Sequence, residues 1–320
     1  MHTTHMRRKA WMMRVVIAAF VLMISAPSWG QYRKKGLDGD HFHFGYVTGH
    51  VGYSMLDTHA TGVLPGGNIG GGVGLGYEYR NSGLWANLGV QVSFHRSHMR
   101  LDPYSTKDEA DQSLYRGIDT QGKSATFHYL VNQTDQIEWN FLDIPVLFGY
   151  YTHGFHIGAG LKLSYPIYAR TRVTGTYTLS ATNDDYGVTF QDMPEQGYKE
   201  YEITSMMSDN RLNVNVGLIG EIGYDLLSSM PSHSRTCHVL KLAFYFEYGL
   251  NNIAKGNEST IRSVIPNPQN ATEATINPYL NTINSPNRTV PFFAGAKITY
   301  MIGGSRTARA GFHHGCMCYN

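Results

Sequence analysis

The chain has 320 residues, 42% of them apolar and only 16% charged, with 35 glycines and 22 tyrosines. Soluble domains carry about 25% charge, so an ordinary cytosolic enzyme is a poor match, and a single continuous apolar run excludes a bundle of membrane-crossing helices. A formal net charge of +2 leaves no basic footprint for nucleic acid.

That apolar run comes first. Arg7, Arg8, Lys9 and Arg14 precede Val15 to Ala26, and Pro27, Ser28, Trp29 and Gly30 follow. A charged start, a short apolar stretch and small residues make a secretory signal peptide over residues 1–30, too short to span a bilayer; the alternative is a retained anchor helix. Its removal takes four basic residues and no acid, leaving 22 basic and 24 acidic residues, a net of −2. No cysteine lies near the cleavage site, so no lipoprotein anchor is expected. Residues 31–40 then form a short periplasmic segment.

Period-two alternation dominates the rest. A first strand runs from His41 to Leu56, with a parity slip near Gly45 that predicts a bulge. Ile69, Val73, Leu75, Tyr77 and Tyr79 alternate with Gly70, Gly72, Gly74, Gly76, Glu78 and Arg80. After Asn81-Ser82-Gly83, Leu84, Leu88, Val90, Val92 and Phe94 alternate with Trp85, Asn87, Gln91 and His95. The same pattern runs over 142–150, turns at Thr152-His153-Gly154, continues over 155–167, and returns at 212–226, 240–250 and 290–302. Pro145 predicts a bulge or locally broken pairing within its strand.

These eight runs exceed the mean strand of about 5 to 6 residues and suit strands that cross a membrane at a tilt. Apolar faces then point to lipid, and the glycines of the other face suit a crowded narrow interior. Short connections (81–83, 152–154, 228–236) alternate strictly with long ones (57–67, 97–136, 169–210, 251–288). That is the rule for outer-membrane barrels, with short periplasmic turns, long extracellular loops and both termini periplasmic. The fold class is therefore all-β: a transmembrane antiparallel up-and-down barrel over 41–302, with a periplasmic tail over 303–320. A secreted soluble barrel is the alternative, but it needs polar outer faces. Residues 125–131, 173–181 and 198–204 also read as strands; they either extend the barrel above the membrane or raise the count to ten or twelve.

Leu142-Asp143-Ile144-Pro145-Val146-Leu147, Gly149-Tyr150-Tyr151, Ile157-Gly158-Ala159-Gly160-Leu161 and Phe246-Glu247-Tyr248-Gly249-Leu250-Asn251-Asn252-Ile253 resemble the PorT-like outer-membrane β-barrel family typical of Bacteroidota. The resemblance covers most of 41–302. It implies a Gram-negative outer-membrane barrel, and it admits a role in type IX secretion.

The inward face carries Glu78, Arg80, Asp143, Lys162, Glu221, Asp225, Lys241, Glu247 and Lys297. Mixed signs across a narrow lumen read as an ion-paired plug, with a proton or ion path as the alternative. Cys237 stands at the third short turn, and Cys316 and Cys318 stand in the tail with His313 and His314. In an oxidising periplasm these are candidates for a disulfide from Cys237 to the tail, or for a metal site whose spacing matches no standard zinc pattern. Ser97, His98 and Asp102 could be drawn into a hydrolase triad, but spacing within a loop does not supply geometry. The expectation is a structural or assembly subunit of an outer-membrane complex, without enzymatic activity or cofactor, in contact with outer-membrane lipid and with protein partners in the outer membrane or periplasm. A stand-alone narrow porin or ligand-binding barrel is the alternative, and a barrel hydrolase a third.

Overall fold

The computed structural model describes residues 41–58, 63–81, 83–101, 114–118, 124–209, 212–229, 237–254, 264–267, 270–276, 278–282 and 288–305. The expected signal peptide, the segment 31–40 and all of the tail past Ser305 lie outside these residues.

Thirteen strands are described: β1 (His41–Thr58), β2 (Val63–Asn81), β3 (Leu84–Leu101), β4 (Leu114–Ile118), β5 (Ser124–Thr152), β6 (Phe155–Asn183), β7 (Thr189–Phe190), β8 (Glu200–Asp209), β9 (Asn215–Ser229), β10 (Cys237–Gly249), β11 (Val264–Asn267), β12 (Asn270–Ile276) and β13 (Thr289–Ser305). Eight of them close into one antiparallel ring, β1-β2-β3-β5-β6-β9-β10-β13 and back to β1. Phe42 pairs with Ser305, so both ends of the ring meet at the end that carries the tight turns. At the turn between β5 and β6 both His153 (φ 50) and Gly154 (φ 78) are left-handed, the sign pattern that matches the twist of a two-residue hairpin.

The ring is inside out relative to a soluble barrel. Val47 is 63% exposed, Leu75 65% and Phe244 55%, whereas Glu78, Asp143 and Glu221 on the opposite face are buried. The row of inward glycines on β2 leaves room for neighbours: a Cβ on Gly72 would sit 2.6 Å from the His50 ring. A ring of eight strands is just wide enough for side chains to fill.

Polarity then reverses along single strands. On β5 the outward row runs Tyr150, Phe148, Val146, Ile144, Leu142, and then Asn140, Glu138, Gln136, Thr134. On β6 it runs from Phe155 through Leu161 to Tyr168, and then Arg170, Arg172, Thr174, Thr176. Beyond this boundary most apolar residues turn inward: Phe127, Tyr129, Val131, Val173, Tyr177 and Leu179 form a core beneath outer faces that are polar except at Leu130. β4 pairs with this part of β5, and β7 and β8 pair with this part of β6. The same two strands thus serve as membrane wall and as soluble sheet, and the arm from Glu138 to Ser124 extends about 45 Å past the boundary at 3.3 Å per residue.

Three expectations are refined. The segments 125–131, 173–181 and 198–204 belong to β5, β6 and β8 above the ring and do not enlarge it. No bulge occurs at Gly45, because β1 keeps an unbroken register with both neighbours; the parity slip arises because Phe42, Phe44 and Tyr46 point inward with Val239 and Met301 to fill the turn end of the lumen. At Pro145 there is no bulge either. Its ladder to β6 is intact, but the pairing with β3 skips from Leu88–Val146 to Gln91–Asp143, as expected where a residue has no N–H to donate. The β5–β6 bulge lies instead at Asn140 and Phe141.

Candidate functional site: the charged lumen and its cap

Alternation delivers one inward side chain from every second residue of each strand, so distant residues meet across the lumen. Arg80 of β2 donates to Glu78 at 2.7 Å and to Asp225 of β9 at 2.9 Å. Lys241 of β10 reaches Glu78 at 3.1 Å and Glu221 at 3.5 Å, and Lys297 of β13 reaches Glu221 at 2.7 Å. In a second group Lys162 of β6 bridges Asp143, at 3.3 Å, and Glu247.

Aromatic groups join the two halves. The Lys297 ammonium lies 4.9 Å from the centre of the Tyr245 ring, and the Tyr245 hydroxyl donates to Glu247 at 2.7 Å. Lys241 sits 4.7 Å over the Trp85 ring. Asp143 also accepts from Ser93 at 2.7 Å and from Gln91 at 3.2 Å. All nine ionisable residues expected on the inward face therefore lie in one chain of contacts, five acids against four bases. Gln91, Ser93, Tyr245 and His156, which lies 3.7 Å from Glu221, join the network without having been singled out. Their shared inward parity was the available signal, but residues of these types occur on either face of a strand.

At the loop end the lumen is capped. Leu56, Met99, Ile137, Trp139, Leu212 and Ile253 pack with Tyr279 and Leu280 of the short helix Tyr279–Thr282. Asp135, fully buried and beyond the outward polarity boundary, accepts the Tyr279 backbone N–H at 2.6 Å and the Gln133 amide at 2.6 Å. Burial pushes its carboxyl up to about 7, against the opposing pull of those two hydrogen bonds.

The remaining candidates separate. Ser97 is buried, accepting from the Leu56 N–H and donating to the Gly66 carbonyl, while His98 is on the outward face of the same strand; adjacent strand residues cannot form a dyad, and Asp102 lies outside the described residues. Cys237 is buried and disulfide-bonded. Cys316, Cys318, His313 and His314 lie outside the described residues, and among the described residues no three His, Cys, Asp or Glu side chains are arranged to hold a metal ion.

The outer membrane protein beta-barrel domain family matches residues 37–255. Among solved structures, Neisserial surface protein A is 8% identical, with 80% of this chain and 95% of that one covered and a TM-score of 0.28. The attachment invasion locus protein Ail of Yersinia pestis is 7% identical over 80% and 98%, also at 0.28. The toluene transporter TodX of P. putida is 8% identical over 87% and 91%, at 0.17. With scores this low, the strand pairing described above carries the architecture. No curated protein matches the chain.

Proposed function

From the premise that this chain belongs to the outer membrane protein beta-barrel domain family, we propose that it is a sealed barrel serving as a structural subunit of an outer-membrane complex. The ring holds the chain in the outer membrane, and the sheet built on β5 and β6 offers a partner protein a preformed surface. The observation that supports a sealed lumen is the continuous network from Arg80 to Asp143, which spans it between an aromatic plug and an apolar cap; the subunit role rests on the sheet that β4, β7 and β8 build on β5 and β6. A charge moving along that path would have to part buried ion pairs, each worth several kcal/mol when one member is left alone.

Orientation follows from connection length. Tight turns face the periplasm and long excursions face outward in bacterial barrels; on that rule both chain ends would lie in the periplasm and the β4 to β8 sheet outside. The resemblance to the PorT-like group directs the search for partners toward secretion or barrel-assembly machinery. Cys237 would then tie Cys316 or Cys318 under the barrel mouth, leaving the tail available for a periplasmic contact.

The test is isolation from outer membranes in gentle detergent with a tag in the 251–288 loop, followed by planar-bilayer recording. Stoichiometric co-purifying proteins and no unitary conductance are expected. Isolation alone, with ion conductance, would replace this reading with a narrow porin.

A further inference from the structure

A groove of about 910 Å³ runs along the wall of the ring, lined mostly by outward-facing residues and also by His50, Gly70, Gly72, His95 and Lys297 of the inward rows. Its path is set by the register. Tyr168, Asn140, Phe94, Gly71, Val51 and Ala296 are consecutive partners across six strands and line it together. Because barrel strands tilt about 35–45°, a row that crosses them descends the wall. The groove starts at the polarity boundary by Tyr168 and Asn140 and ends deep in the apolar band at Leu242 and Ile298. Glycine and alanine at 49, 71 and 296 keep its floor low, and Ile69, Val73 and Phe94 are its exposed apolar walls.

The upper end is cationic. In the next outward row Arg96, Glu138 and Arg170 are register partners, and in the row above it His98, Gln136 and Arg172; Arg100 follows on β3. Four guanidinium groups thus stand within three strands just past the last apolar row. Among the described residues Glu138 pairs with Arg96 at 3.0 Å while both stay more than half exposed, and Asp209 is the register partner of Arg170. An arginine fork matches the oxygens of a phosphate, and an apolar groove leading away from it matches an acyl chain.

We propose that this groove is a binding site for one phosphate-bearing acylated lipid of the outer membrane, with an acyl chain along the groove and its phosphate on the arginine block. The proposal goes beyond the subunit reading. It borrows from that reading only which leaflet supplies the lipid, since binding in detergent does not depend on orientation.

Native mass spectrometry of the purified barrel in a neutral detergent tests it, with lipid A, its dephosphorylated form and phosphatidylethanolamine as probes. One retained lipid A, at least tenfold preferred over the other two, is expected. Substituting Arg100→Gln with Arg172→Gln should abolish that preference, and filling the groove by Ala296→Phe or, as a second variant, Val51→Trp should reduce retention at least fivefold. Heat-dependent gel mobility verifies that each variant keeps a closed barrel. Equal retention of all three probes, indifference to the arginine substitutions, or displacement by inorganic phosphate alone would overturn the proposal. Trypsin access to Lys199 on whole cells reads orientation separately: a shielded Lys199 with lipid preference intact would overturn the orientation and spare the site.

Discussion

Lys162 is the only described cation in contact with both Asp143 and Glu247, so its loss strands two buried carboxylates. Lys162→Met should destabilise the barrel by about 3–5 kcal/mol, read as a lowered urea midpoint for folding into lipid vesicles. Adding Asp143→Asn and Glu247→Gln should recover most of the loss, because neutral groups of similar shape leave no stranded charge. Asp135 responds to pH. Its carboxyl is raised to about 7 by burial, so protonation is favoured in the closed cap. The contribution is complete below about pH 4, where the group is neutral in both states, falls as pH rises, and is gone past about 7. Exchange protection of the Tyr279 amide, corrected for intrinsic rate, should fall between pH 4 and 7 in the native chain. In Asp135→Asn it should stay flat. The nine lumen charges were legible because alternation alone assigns them to one face. Asp135 was not, because it falls in a stretch that reads as loop and its partner is a backbone N–H 144 residues away.

At the scale of elements, β5 and β6 divide the labour. Their turn-end halves face lipid, and their far halves form a water-facing sheet whose core includes Leu179 and a stacked Tyr177–Tyr201 pair, 5.1 Å between centroids. Leu179→Ala should cost that sheet about 2–5 kcal/mol without touching the ring. Limited proteolysis should cut the 184–200 region faster, while the heat-dependent gel shift of the barrel stays unchanged; loss of both would mean that sheet and ring unfold as one unit. The membrane halves were readable because a lipid-facing strand announces itself locally, by apolar residues at every second position. The far halves were readable as strands but not in their placement. Val173, Tyr177 and Leu179 alternate just as the membrane rows do, and only the switch of polar partners to the outward side, from Arg170 onward, reveals that the solvent has changed. Gly45 shows the converse. A one-face rule read its neighbourhood as a bulge, whereas Phe42, Phe44 and Tyr46 simply belong to a lumen plug.

For the whole molecule, the position of the bilayer follows from where that switch occurs. The outward row of β6 is apolar from Phe155 to Tyr168 and polar from Arg170 on, and β3 and β5 change at Arg96 and Asn140, close partners in register. A boundary shared by three neighbouring strands is a property of the surroundings and not of any one strand. Arginine placed along the outward row should trace it. At Leu161, near the middle of the band, the cost should be about 2–4 kcal/mol, shrinking to about 0–1 toward Phe155 and Tyr165. At Thr176, beyond the arginine block, arginine should be neutral. Folding free energies into vesicles across these four positions give the profile directly. A maximum at Leu161 fixes the apolar band between the tight turns and Arg170, whereas equal costs at Leu161 and Thr176 would mean that the projecting sheet, too, is buried against an apolar phase.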